Sequence, residues 1–221
     1  MIRQAIAIFT KDLMSELRTR YAINALLMFV VVTLAVIMFS LVGESLSPGA
    51  LTGMLWVVMF FAAMSGLSRS FVAEEERGTT MTLQLLASPM SVYLGKLLFN
   101  LLLVVALNIF IVLLFLLVMD QFTVAQPDLF WTVMLLGSVG IAAATAIIAA
   151  IIAKANTKGT LFPVLSFPVL LPLLMAGIAA TKVAVEEPVW DNALPELQML
   201  ASYIVVVVTV SFLLFDFVWK D

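Results

Sequence analysis

At 221 residues, with 64% hydrophobic and 11% charged side chains and a net charge of −3, the chain falls well short of the roughly 25% charge that keeps an ordinary soluble domain in water. Most of its surface must meet lipid, one membrane domain uses up the length, and no basic patch of the size nucleic acid needs is present. The absence of Cys and His excludes disulfides, Cys/His zinc sites, a Cys-x-x-Cys-His haem attachment and any catalytic Cys–His or Ser–His pair.

The first twenty residues, MIRQAIAIFTKDLMSELRTR, set Ile2, Ile6, Phe9, Leu13 and Leu17 three or four apart, one apolar face of a helix. Arg3, Lys11, Asp12 and Arg18 fall mostly elsewhere. The pattern predicts an amphipathic helix lying along the membrane surface and bracing the bundle; a plain topology anchor is the alternative.

Six uncharged runs follow, 21–43, 46–68, 97–119, 129–153, 159–181 and 197–215, which set spans at about 21–43, 48–70, 97–119, 128–153, 160–181 and 196–218. Each suits a helix crossing roughly 30 Å of hydrocarbon, and none alternates as a barrel strand would. The expected fold is therefore an all-α integral membrane protein, residues 1–221 forming a single transmembrane domain of six spans. No small-x-small cleavage site marks the first run, which is expected to be a retained span.

Lys and Arg set the orientation. Arg3, Lys11, Arg18, Arg20, Arg69, Arg77, Lys96, Lys154, Lys158 and Lys220 all fall on one side if the spans alternate, and only Lys182 falls on the other. The second side carries Glu44, Asp120, Asp128, Glu186, Glu187, Asp191 and Glu196 instead. Both termini and the segment after span two are expected in the cytoplasm. Ser47-Pro48 and Ser88-Pro89 suit helix starts, and Trp56, Trp131, Trp190 and Trp219 are expected near the interfaces.

The segment over 72–96 is the least lipid-like part of the chain. Glu74, Glu75, Glu76 and Arg77 are too polar for hydrocarbon, and Gly78 permits a tight turn. Met81, Leu85 and Leu86 then form a short apolar stripe among Thr79, Thr80, Thr82 and Gln84. A solvated loop needs neither that pattern nor that length, so a helical excursion that docks a partner is the preferred reading.

Within the bilayer, Pro163, Pro168 and Pro172 share span five, which should kink or locally unwind, with Ser166 placed to satisfy freed carbonyls. Such a helix suits a pathway lining or a hinge. Gly137, Gly140 and Ala144 give span four a small-residue face, for packing within the bundle or, alternatively, for a homodimer seam. Asn108, mid-span three, should face another helix or the pathway. No paired acids, metal ligands or activated nucleophile sit in the spans, so an intramembrane enzyme is not expected.

The stretch EEERGTTMTLQLLASPMSVYLGKLL resembles the cytoplasmic loop of type-2 ABC exporter permeases, through Glu75, Glu76, Gly78, Thr79, Leu85, Leu86, Pro89, Gly95 and Lys96. The stretch GTLFPVLSFPVLLPLLMAG resembles the fifth span of the CcmB-type permease of the cytochrome c maturation haem exporter, and the length and six bare spans agree. The resemblance implies a separate ABC ATPase subunit, two copies of the permease, and other haem-handling membrane proteins as partners, with the lipid bilayer around them. It implies that Glu74 to Thr79, Met81, Leu85, Leu86 and Pro89 form the ATPase-docking loop. The chain has no G-x-x-x-x-G-K-[ST] loop with which to hydrolyse ATP itself. Haem is the implied cargo and not a tightly bound cofactor. Without His or Cys, only Tyr and Met remain as ligands of note, which favours an energy-coupling role and axial ligation by partners. A scaffold for haem-chaperone release, or a permease for a lipid or drug, remain alternatives.

Overall fold

The computed structural model describes residues 1–67, 69–153, 158–186 and 189–220, and every regular element among them is helical. Helix α1 (Ile2–Thr19) turns into α2 (Tyr21–Ser40) through Arg20 alone. Arg20 takes the left-handed conformation, φ 52°, which residues with a Cβ rarely adopt. Local bonds hold it there. Its N–H donates to the Glu16 carbonyl at 2.7 Å, and the Glu16 carboxylate accepts the Ile23 N–H at 3.2 Å. The second bond satisfies a first-turn amide that has no partner within α2.

Helix α3 (Pro48–Leu67) comes next. Beyond Ser68, which lies outside the described residues, are α4 (Arg69–Glu76) and the short α5 (Thr80–Leu86). Helices α6 (Pro89–Val118), α7 (Pro127–Ala153), α8 (Lys158–Glu186) and α9 (Leu194–Lys220) follow, with a single 3-10 turn at Trp190–Ala193 ahead of α9. Six segments, on α2, α3–α4, α6, α7, α8 and α9, are long and apolar enough to cross a membrane. Gln4 Nε2 donates to the Leu86 carbonyl and Gln84 Nε2 to the Trp219 carbonyl, so α1, α5 and the end of α9 meet at one end of the bundle, here the terminal end. At the opposite end the Gln121 side chain bonds the backbone of Glu44 and Leu46.

One boundary corrects the sequence reading. The third span does not wait for residue 97: its helix starts at Pro89, so the expected loop over 72–96 closes eight residues sooner. Ser88 is extended, φ −65° and ψ 146°, and Pro89 sits in the first turn, where its missing N–H loses nothing. Gly95 and Lys96 lie inside the helix because α1 packs over them. At about 1.5 Å per residue the 30 residues of α6 run to about 45 Å, longer than the hydrocarbon layer, and its first turns project at the terminal end.

Helix α7 occupies the centre and touches α3, α4, α6, α8 and α9. Its small residues explain that position. A Cβ at Gly137 would come within 2.4 Å of the Trp56 ring, and one at Gly140 within 2.5 Å of Leu173. The small-residue face is thus filled from within the chain and presents no seam to a second copy. Trp56 is also a correction. It is not interfacial but fully buried, its indole N–H donating to Thr181 Oγ1 at 2.9 Å, a bond the low-dielectric interior strengthens. Trp219 is buried as well, stacked on Phe215 with ring centroids 5.5 Å apart; Trp131 and Trp190 are exposed.

Span five differs too. Helix α8 is unbroken from Lys158 to Glu186, with no unwinding at Pro163, Pro168 or Pro172. All three rings point out of the bundle, while Phe162, Ser166, Leu170 and Leu173 face inward. On the outer face each ring crowds only its own preceding turn, and the packed face continues without interruption. The prolines therefore line no pathway within this chain. The Ser166 hydroxyl is buried without a hydrogen-bond partner, so it does not compensate for the lost donors.

Candidate functional site

The polar segment after span two is organised by a helix end. The last turn of α4 closes with the Gly78 N–H donating to the Glu75 carbonyl at 3.1 Å and the Thr79 N–H to the Glu74 carbonyl at 3.0 Å. These two bonds are the Schellman pattern, which requires a left-handed residue after the cap. Gly78 supplies it at φ 66°. Nothing lies within 4 Å of where its Cβ would be, so the glycine answers a conformational demand and not a spatial one. Glu75 accepts from Thr80 Oγ1 at 2.8 Å and ties the first turn of α5 back to α4. Glu76, Arg77 and Gly78 are exposed at the turn.

Glu74 behaves differently from its neighbours. It is buried and accepts from the Thr79 hydroxyl on one oxygen and from Lys11 Nζ on the other. The same oxygen lies 3.3 Å from Lys96 Nζ, and Lys96 reaches Asp12 Oδ2 at 3.2 Å. Lys11 closes the circuit, 3.1 Å from Asp12 Oδ1. Lys96 is fully buried, and its ammonium sits 5.2 Å over the Phe71 ring. A charge in such a place is tolerable only when paired, and here two carboxylates pair it. The network joins α1, α4 and α6. Burial works against the Lys11 charge, but the hydrogen bond to Glu74 and the Asp12 charge outweigh it and hold its pKa above the usual lysine value.

Helix α1 reaches this position by lying tightly on the start of α6. A Cβ at Gly95 would stand 2.7 Å from the Ala5 carbonyl oxygen and 2.8 Å from Ile8 Cβ. The first of these is backbone and cannot step aside, so the approach depends on glycine. Ala5 and Ile8 are the buried positions of α1, while Ile2, Ile6 and Leu17 of the expected apolar face stay exposed on the molecule. The Ser91 hydroxyl lies 3.1 Å from Gln4 Oε1 and 3.2 Å from the Met1 carbonyl, which fixes the N-terminal turn of α1 over Pro89 and Ser88.

Helix α5 has no buried residue. Leu83 alone packs inward; Gln4 Nε2 donates to the Leu86 carbonyl at 3.3 Å, and Gln84 Nε2 reaches out to the Trp219 carbonyl at 2.6 Å. Met81, Leu85 and Leu86 are left 72%, 83% and 71% exposed. Three large apolar side chains thus stand exposed on one short helix, beside polar neighbours. Asn108 lies far from here, on α6 at the α7 contact, where it donates to Ser138 Oγ at 2.9 Å.

The structure thus brings Glu74 to Thr79, Met81, Leu85, Leu86 and Pro89 together at the terminal end, and leaves Pro163, Pro168, Pro172 and Asn108 elsewhere. Sequence reasoning missed Lys11 and Asp12, whose only signal was a Lys-Asp pair one turn beyond Ile8 on a helix expected to touch membrane. A comparison with curated proteins gives no significant match. A family model described as "CcmB protein" matches residues 3–217, nearly the whole chain, and the chain therefore belongs to the CcmB family, the permease component of the ABC haem exporter of cytochrome c maturation.

Proposed function

We propose that this chain is the energy-coupling permease subunit of a haem-delivering ABC complex in a bacterial inner membrane, and that α5 is the handle through which a separate ATPase subunit moves it. The sorting of Lys and Arg supports a cytoplasmic terminal end, where such an ATPase resides. One observation carries the reading. The exposed stripe of Met81, Leu85 and Leu86 is tied to α4 through the Gly78 turn and the Thr80–Glu75 bond, and α4 is locked to α1 and α6 by a largely buried charge network. A force on α5 therefore reaches two membrane-embedded elements, α3 through α4 and α6 through Lys96. Two copies of the chain, each served by one ATPase subunit, fit this arrangement. The cargo role is energy coupling to haem movement or to release of a haem-loaded chaperone, with partner subunits supplying the axial ligands, since the chain has neither His nor Cys.

The test is Leu85→Asp in the full complex. Leu85 makes no buried contact, so the variant is expected to fold normally, to lose ATPase-subunit binding by about fivefold or more, and to lose ATP-dependent haem delivery. Normal ATPase binding with normal delivery would reject α5 as the handle. Full assembly and ATP turnover with no haem movement even in the parent protein would turn the reading toward a scaffold for chaperone release.

A further inference from the structure

Two cavities open side by side along α1 and α6 at the terminal end, the first closed by α3 and α4 and the second by α2. The first, 280 Å³, is polar; Asp12, Glu16, Glu76, Arg77 and Asn100 are among the side chains that line it. The second, 310 Å³, is apolar; Leu13, Leu17, Ile23, Leu26 and Leu102 are among its walls. Glu16, Phe99 and Leu103 line both, so the two are halves of one amphipathic space. Their sizes are those of small-molecule sites, which run to about 300–1,000 Å³.

Acids alone would not mark a ligand. Asn100 does. It is fully buried, and neither its amide nitrogen nor its carbonyl oxygen has a hydrogen-bond partner. A buried amide left that way is unfavourable, and it faces the polar half of the space. Arg77 and Glu76 make no ion pair with each other or with any other of the described residues, although both stand at the same cavity. The lining therefore offers carboxylates, one guanidinium, and an amide that both donates and accepts, immediately above an apolar trough exposed to lipid at Leu17 and Leu102.

We propose that this space binds a membrane phospholipid with an aminated, zwitterionic headgroup of the ethanolamine type, one acyl chain lying in the trough against Leu26 and Leu102. The ammonium meets Glu16 and Glu76, the phosphate meets Arg77, and Asn100 bonds the ester or phosphate oxygens. Charge complementarity selects this class. Of the four carboxylates that line the polar half, Asp12 and Glu74 are paired with Lys11 and Lys96, which leaves Glu16 and Glu76 with one guanidinium; an anionic headgroup would meet both, and the propionates of a haem would fare no better. Bound there, the lipid joins α1 and α6 to α2 by its chain and to the end of α4 by its headgroup, and braces the arm that carries Lys11 and Asp12. The inference does not depend on which compartment the terminal end faces.

The test uses the full-length chain in nanodiscs of phosphatidylethanolamine and phosphatidylglycerol in equal amounts, with retained lipid identified after gentle detergent extraction. Phosphatidylethanolamine is expected to be enriched on the parent protein by about fivefold, the worth of a well-placed exposed ion pair. Ala106→Trp, which fills the trough from an exposed position, is expected to abolish retention of either lipid. Glu76→Lys, at an exposed turn, is expected to shift the preference toward phosphatidylglycerol. Equal retention of the two lipids by the parent protein would overturn the proposal. So would retention unaffected by Ala106→Trp, as expected if water or a partner's side chain fills the polar half instead.

Discussion

Lys96→Met tests the charge network most directly, because methionine keeps the side-chain length and removes only the ammonium. Lys96 is fully buried, 3.2 Å from Asp12 and 3.3 Å from Glu74. Removing one member of a buried pair strands its partner's charge and costs about 3–5 kcal/mol. Lys11 remains beside both carboxylates and is 46% exposed, so it retains part of the compensation, and the low end, about 3 kcal/mol, is expected. The measurement is equilibrium unfolding of the full-length chain in mixed micelles, followed by helical circular dichroism and repeated for Glu74→Gln and for the double variant. Glu74→Gln added to Lys96→Met removes a stranded charge, so the double variant is expected to be more stable than the sum of the single losses predicts, by about 0.5–3 kcal/mol. Single losses that add to within about 0.5 kcal/mol, or a Lys96→Met loss below that figure, would refute the claim that α4 is clamped to α1 and α6.

Gly95→Ala drives a methyl against the Ala5 carbonyl and is expected to lose about 1–3 kcal/mol by overpacking, with faster hydrogen exchange confined to α1 as its signature. Gly78→Ala meets no atom but must adopt φ 66°, so thermal unfolding should report a loss of about 1 kcal/mol, smaller for Gly78→Asn, which tolerates that conformation better. Trp56→Phe leaves Thr181 without its indole donor and opens space beside Gly137 and Gly177, and it is expected to cost about 1–3 kcal/mol in the same unfolding assay.

The spans were legible because length and apolar composition are enough for them, and Ser88-Pro89 marked a helix start for a local reason. What went astray shares one cause. In a helix that is apolar all round, periodicity no longer separates inside from outside. Trp56 in α3 therefore read as interfacial when it is the plug between Gly137 and Gly177, and the outward direction of the three prolines of α8, read as a pathway lining or a hinge, was not legible. Glu74 to Leu86 could be singled out because charge, glycine and an apolar stripe follow one another within a few residues. Their docking role still rests on the proposal above. The network behind them could not be read, since Lys11, Asp12, Glu74 and Lys96 come from three separated elements and meet only after α1 has folded onto Gly95.

The placement of stiff and soft parts bears on how a push at α5 would travel. Helix α5 has no buried residue and joins α4 through a glycine, so a change of angle there disturbs few packed contacts. Helix α4 buries Phe71, Val72 and Glu74, and sliding it against α6 would separate Glu74 from the fully buried Lys96, while sliding it against α1 would part it from Lys11. Motion delivered to α5 should then be absorbed first at Gly78, and only the part that exceeds this slack should turn α1, α4 and α6 as one body. A stiffer turn would transmit more of each stroke. Conversely, lengthening the turn by two glycines after Gly78 should leave ATPase binding intact while lowering haem delivery per ATP hydrolysed, and unchanged delivery per ATP would show that the stroke enters the bundle by some other element.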